Sequence, residues 1–146
     1  MGIEDGAQVV RRYLDAVGEL DHEALTATFH PQVVMLLPFA PEGIPQEISG
    51  KDAVSEAMSG MFSLVTPLNF RDYRITRLEG EPTYLATYTS DSTIRSTGLP
   101  YRNNYISWFT VQDGLISRFA EYFDPMVFAK AMGATVQMPG DRKSVV

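Results

Sequence analysis

Apolar positions recur at helical spacing in the first part of the chain and alternate along its second half. Val9, Val10, Tyr13, Leu14 and Val17 share one face of a helix predicted over Glu4 to Leu20, with Arg11, Arg12 and Asp15 on the other side. Asp21 is placed to cap a short second helix, with Ala24, Leu25, Thr28 and Phe29 inward, and Pro31 ends it. Val33 to Leu37 is apolar throughout and reads as a strand covered on both faces. Pro38 to Gly50 holds three prolines and two glycines and reads as a semi-rigid excursion. Ser49 and Asp52 stand at capping-box spacing ahead of a third amphipathic helix bearing Val54, Ala57, Met58, Met61, Phe62 and Val65. Its methionines read as adaptable core filler before they read as ligands.

From Leu68 to Phe123 the pattern is that of strands. Leu68 to Leu78 loses its alternation around Arg71-Asp72, which predicts a bulge. After a turn at Glu79 to Pro82, Thr83 to Ile94 sets Tyr84, Ala86, Tyr88 and Ser90 against Leu85, Thr87, Thr89 and Asp91. Asn103 to Pro125 then reads as a hairpin of two long strands turning at Gln112-Asp113-Gly114. Pro125 opens a short last helix that Gly133 closes, with Asp124 able to cap it, and a polar tail follows from Ala134. Helices first and a strand meander afterwards predict an α+β fold: a curved antiparallel sheet wrapped around three N-terminal helices, with a cone-shaped cavity at its open end. A single domain over residues 1–133 and a flexible tail over 134–146 are expected.

The 146 residues, 45% of them hydrophobic, supply an ample core for one domain. A net charge of -6 without a run of Lys or Arg argues against nucleic-acid or anionic-membrane partners. With no Cys there is no disulfide, thiolate nucleophile or zinc-thiolate site. No apolar run reaches membrane-spanning length and no basic-then-apolar leader opens the chain, so a soluble cytoplasmic protein is expected. Gly2 follows Met1, but Gly6 stands where a myristoylation pattern needs Ser or Thr. No phosphate-binding glycine loop follows a strand, and His22 and His30 flank the second helix without forming a metal pair. No cofactor and no metal are expected.

Candidate chemistry concentrates on Glu121. On the last strand Ser117, Phe119, Glu121 and Phe123 share a face, opposite Ile116, Arg118, Ala120 and Tyr122. A carboxyl between two phenylalanines is costly to bury charged, and burial raises its pKa. A solvent-facing glutamate on an antiparallel sheet is the plainer alternative; the flanking rings favour an enclosed site. Register decides its neighbours. A three-residue loop would pair Phe119 with Ser107 and Glu121 with Tyr105, giving that face Asn103, Tyr105, Ser107 and Phe109. A two-residue loop would bring Asn104, Ile106 and Trp108 there instead. The first register is preferred because it surrounds the acid with hydroxyls and an amide.

The stretches VVRRYLDAVGELDHEALTATFHP, SGKDAVSEAM and VQDGLISRFAEYFDP resemble the nuclear transport factor 2-like superfamily, in its SnoaL-like and ketosteroid-isomerase-like branch. The resemblance runs over roughly Val9 to Gly133, and PYRNNYISWFTVQDGLISRFAEYF is most similar to the phenazine-biosynthesis A/B proteins. It implies a cystatin-like α+β barrel and places Glu121 where those proteins carry an acid–base glutamate. It sets Tyr13 on the helix-one tyrosine that donates into the ketosteroid-isomerase oxyanion hole. Ser107 falls on that enzyme's second donor, a protonated Asp, and Tyr101 on a pocket tyrosine of the phenazine proteins. Departures accompany it. Leu37 stands where ketosteroid isomerases have a general-base Asp, Ala57 and Met61 stand where the phenazine proteins have His and Ser, and the Arg partner of epoxide hydrolysis is missing near Tyr88 to Ser90.

Two functions follow. The first is a cofactor-independent cyclase, isomerase or dehydratase acting on a small hydrophobic, carbonyl-bearing, polyketide-like or aromatic metabolite. In it Glu121 and Tyr13 are catalytic, and Tyr105, Ser107, Tyr88, Tyr101, Asn103, Phe119 and Phe123 bind substrate. The second is a non-catalytic small-molecule-binding or scaffold protein of the same fold. One acid favours the enzyme, while the missing Asp and His favour the binder. Ile116, Ala120 and Tyr122 make the outer face of the hairpin too apolar for solvent, so a homodimer is expected.

Overall fold

The computed structural model describes residues 3–140 of the chain. In chain order its elements are α1 (Ile3–Glu19), α2 (His22–Thr26), β1 (Phe29–Leu36), β2 (Glu47–Ser49), α3 (Lys51–Phe62), β3 (Arg71–Arg77), β4 (Thr83–Thr89), β5 (Ser92–Thr93), β6 (Pro100–Tyr101), β7 (Asn104–Gln112), β8 (Leu115–Phe123) and α4 (Pro125–Ala131). The expectations for Gly2 and for tail residues 141–146 lie outside the described residues.

The fold is α+β, built on a curved six-stranded sheet in the order β2-β1-β8-β7-β4-β3, with β5 and β6 forming a separate ribbon. Two features differ from a closed antiparallel barrel. The strand β1 runs parallel to β8, and the sheet stays open, with β2 and β3 as its edges. The parallel pair arises because β1 precedes the meander and is joined to it through α3, a crossover connection of the kind parallel strands require. At the far edge β3 exposes Arg71, Arg74 and Arg77, charges that discourage pairing with another sheet.

Two boundaries move relative to the sequence pattern. Phe29 belongs to β1 rather than to α2, which ends at Thr26, ahead of Pro31; Phe29 pairs with Ile116 of β8, and burial of its ring outweighs local helical spacing. At α3 the capping box does not form. Ser49 is taken up in β2, paired with Val34, and Gly50 at φ 95° is the N-cap, without a side-chain hydrogen bond. Asp124 does cap α4, its Oδ1 accepting from the amides of Met126 and Val127 at 2.9 and 3.3 Å.

The core forms where α1 lies on the inner face of the sheet. Val9, Val10, Tyr13, Leu14 and Val17 are all buried. The Phe29, Phe119 and Phe109 rings stack in a row across β1, β8 and β7, at 5.8 and 5.9 Å, and Tyr13 packs on all three. Truncating Phe119 to Ala would cost about 3–5 kcal/mol on the scale of large buried aromatics. Gly18 lets α1 approach the chain at Phe70, since a Cβ there would stand 3.0 Å from the Phe70 amide nitrogen. Phe70 in turn packs on Tyr88 and Tyr105 at 4.8 and 5.1 Å, which ties the helix to the site.

Candidate functional site

The hairpin of β7 and β8 positions the central carboxyl. Asp113 and Gly114 adopt φ 55° and 75°, a two-residue turn that pairs Gln112 with Leu115. A bulge follows: Val111 pairs with Ile116 and Thr110 with Arg118, so Ser117 is an extra residue, its hydroxyl donating to the Thr110 carbonyl at 3.2 Å. Beyond it Phe119 pairs with Phe109, Glu121 with Ser107 and Phe123 with Tyr105. The turn is thus not the expected three-residue loop, and Glu121 lies opposite Ser107 rather than Tyr105. The bulge restores the parity that the shorter turn would have lost, so Tyr105, Ser107 and Phe109 still share the acid's face. It also places Ile116 in the core rather than on the outer face.

Inside the sheet and under α1 and α3 lies a cavity of about 300 Å³. Its walls are mainly Met, Leu, Ile, Val and Phe side chains, and its polar side chains are Tyr13, Tyr101, Tyr105 and Glu121. Ile44 and Pro45 from the proline-rich excursion and Phe128 of α4 also line it. Phe119 and Phe123 flank Glu121 on the wall. Leu37, Ala57 and Met61 line it too, so the positions that depart from the resembled enzymes are apolar wall here.

Glu121 retains some open surface, and that surface faces the cavity rather than a wet sheet face. Removal from water therefore dominates and pushes its carboxyl up to about 7; a hydrogen bond from Tyr88 opposes the rise. The Tyr88 hydroxyl lies 3.3 Å from Glu121 Oε2 and 2.7 Å from Ser107 Oγ. The ring of Tyr88 is stacked on Tyr105, 4.9 Å away and 6° from parallel. Burial, followed by the nearby Glu121 charge, holds the Tyr13 and Tyr88 phenols well above their ordinary range, so both stay protonated at neutral pH.

The stacked tyrosines serve separate networks. The Tyr105 hydroxyl is shared between Ser90 Oγ and Tyr101 Oη, both at 3.1 Å. Tyr101 Oη also accepts from Asn103 Nδ2 at 3.0 Å. In both of its contacts Tyr101 is the acceptor, and no described residue engages its own proton. Tyr13 is in the same position: its hydroxyl has no hydrogen-bond partner among the described residues. The cavity is therefore furnished with one carboxyl and two phenol protons free to meet a ligand.

The structure brings Tyr13, Tyr101, Tyr105, Phe119, Glu121 and Phe123 to the cavity wall. It does not bring Tyr88, Ser107 or Asn103 there; all three are buried behind it. Asn103 is spent on structure: its Nδ2 also donates to the Asp124 carbonyl, and its Oδ1 accepts from the amides of Asn104 and Asp124. Met35, Met58 and Phe70 are wall residues that sequence reasoning assigned no place at the site, since nothing in their spacing separates a cavity wall from a filled core. His22 bonds to the Ser55 carbonyl and His30 to the Gln32 amide, away from the cavity. Among the described residues no cluster of His, Cys, Asp or Glu could hold a metal, and no helix is long and apolar enough to cross a membrane.

The family described as SnoaL-like domain matches residues 10–119. The chain belongs to that family. YesE of Bacillus subtilis, an uncharacterised protein, is 30% identical over 132 residues, covering 90% of each chain. A Bacillus subtilis crystal structure described provisionally as an isomerase is 29% identical and superimposes with a TM-score of 0.86, over 94% of this chain and all of that one. A phenazine biosynthesis-related protein of Pseudomonas aeruginosa is 18% identical with a TM-score of 0.81, over 93% and 85% of the two chains, and shares the fold.

Proposed function

We propose that this SnoaL-like protein is a cofactor-independent acid–base catalyst for a small, apolar, uncharged molecule bearing a carbonyl or enol oxygen. The observation that carries the reading is Glu121: among the described residues it is the one carboxyl lining an apolar cavity, and its midpoint near 7 lets it exist in both proton states at neutral pH. As a carboxylate it takes a proton from carbon next to the carbonyl; as an acid it returns one to carbon or to a leaving oxygen. The free protons of Tyr13 and Tyr101 hydrogen-bond the oxygen as it gains negative charge. These steps suit an isomerase, a cyclase or a dehydratase. No Lys, Arg or His lines the cavity among the described residues, which disfavours a carboxylate or phosphate on the ligand.

Tyr105, Phe119 and Phe123 act as wall in this reading. The Bacillus subtilis neighbour described as an isomerase supports the reaction class by its likeness. A second reading, a binding protein without turnover, is favoured by Leu37, Ala57 and Met61, which leave Glu121 without the acid or base partners of the resembled enzymes. Deuterium exchange tests the choice. A panel of neutral apolar ketones is incubated in D₂O with the protein, and loss of the α-proton signal is followed by NMR. Catalysed exchange of any member supports catalysis; binding without exchange across the panel supports the second reading.

We also propose a homodimer through the outer face of the sheet. Ile106 is 51% and Phe39 55% exposed there, with Phe39 packed edge-on against Tyr122 at 5.2 Å. Ala120, expected in that contact, is already fully covered within one chain, between Leu36 and Trp108 in register.

A further inference from the structure

We propose that Ser107 and Tyr88 are positioning residues that commit Oε2 of Glu121 to accepting a hydrogen bond and so reserve Oε1 for proton exchange with the ligand. The inference rests on the reading of Glu121 as the proton-transferring group and adds which of its atoms acts and what fixes it.

The geometry is a chain of three groups joined by two contacts: Ser107 Oγ to Tyr88 Oη at 2.7 Å, and Tyr88 Oη to Glu121 Oε2 at 3.3 Å. Each hydroxyl owns one proton. With Glu121 ionised, the chain runs Ser107 to Tyr88 to Oε2, every proton pointing toward the carboxylate. If the acid proton sat on Oε2 instead, both contacts would have to reverse, and Ser107 would have to turn its proton elsewhere. Ser107 is fully buried and has no other hydrogen-bond partner among the described residues, so that reversal strands a buried donor. Placing the proton on Oε1 avoids this and leaves the chain unchanged in both states. The Tyr88 ring cannot swing away, because Phe70 and Tyr105 hold it at 4.8 and 4.9 Å. The 3.3 Å contact is long for a bond to a carboxylate and has room to shorten as Glu121 ionises.

The groups that bear on Glu121 are Tyr13 from α1, Tyr88 from β4, Tyr101 from β6 and Tyr105 from β7, all phenols shifted upward by burial. The wall residues Met35 of β1 and Met58 and Met61 of α3 carry no charge. Titration of Glu121 therefore reports on its hydrogen bonds rather than on a second ionising neighbour.

The test is a ¹³C-carboxyl NMR titration of glutamate-labelled protein, with the Glu121 signal assigned from its loss in Glu121→Gln. No substrate is needed, so its outcome is separable from the catalytic reading. Tyr88→Phe, which deletes the donor, should move the Glu121 midpoint upward by about one pH unit, the worth of one hydrogen bond to a charged group. Ser107→Ala should move it the same way by less, and should add nothing further in the Tyr88→Phe background, because Ser107 acts only through Tyr88. A merely structural role would lower the melting temperature and leave the midpoint where it was. An unchanged midpoint in Tyr88→Phe, or a Ser107→Ala shift that persists without the Tyr88 hydroxyl, overturns the proposal. Should Tyr88→Phe fail to fold, Ser107→Ala decides alone: an upward shift supports the proposal, and none overturns it.

Discussion

Glu121 stands directly across from Ser107 because a single extra residue, Ser117, offsets the short Asp113-Gly114 turn. Without that bulge the same turn would set Ile106 against Glu121 and turn the acid away from Tyr105 and Ser107. The placement of the chemistry therefore depends on a bulge four residues before Glu121 on the same strand, and on Tyr88 behind the acid.

That enclosure makes stability depend on pH. The folded state holds the Glu121 proton up to about 7, whereas the unfolded chain releases it around 4.5. Between those values the folded state binds the extra proton, so stability falls as pH rises through this window and levels off above it. Glu121→Gln removes the cost of burying the charge. It should leave stability close to wild type below the window and raise it above pH 7 by up to roughly 3 kcal/mol. Urea unfolding at pH 4.5 and pH 8 measures the difference; an equal effect at both values would mean that Glu121 is solvated when folded.

Much of this arrangement was legible in the chain. Val9, Val10, Tyr13, Leu14 and Val17 announced the buried helix face, and the Phe119-Glu121-Phe123 spacing announced the enclosed acid. The loss of alternation at Arg71-Asp72 marked a real register shift, with Asp72 at φ 60°. The bulge at Ser117 gave no such sign, since Ile116-Ser117-Arg118 alternates as any strand would. Nor could spacing tell that Tyr88, Ser107 and Asn103 sit behind the cavity wall. Residues on one face of a sheet differ in depth with its curvature, and curvature comes from the whole assembly. The capping box at Ser49 failed for a similar reason: pairing of β2 with β1 claimed the residue first.

The cavity should be removable without unfolding the protein. Ala57 is a partly exposed wall residue on α3, and Ala57→Phe directs a ring into the open space. Binding of a neutral apolar probe such as 2-naphthol, followed by fluorescence, should weaken at least tenfold while the melting temperature changes by only a few degrees. Unaltered probe binding would place the ligand site elsewhere.

Ile106→Arg tests the proposed dimer, since it puts a charge in the centre of the exposed apolar face. Light scattering at micromolar concentration should show a dimer for wild type and a monomer for the variant, with far-UV circular dichroism unchanged. A monomeric wild type would contradict the dimer.

Tyr101→Phe should slow ketone exchange on the order of 10²-fold through loss of one oxyanion donor, with affinity for the neutral probe kept within a few-fold. A Tyr101→Phe enzyme that loses affinity and rate in equal measure would make that tyrosine a binding contact only.

The central claim is that Glu121 carries the proton. The measurement that bears on it most directly is the rate of α-proton exchange of a responsive ketone in D₂O, compared between wild type and Glu121→Gln at pH 7. The variant keeps the size of the side chain and its hydrogen bond from Tyr88 but has no transferable proton. The account predicts a rate lower by roughly 10²-fold or more with ketone affinity nearly unchanged. Exchange at the wild-type rate in Glu121→Gln would contradict it and give Glu121 a structural role.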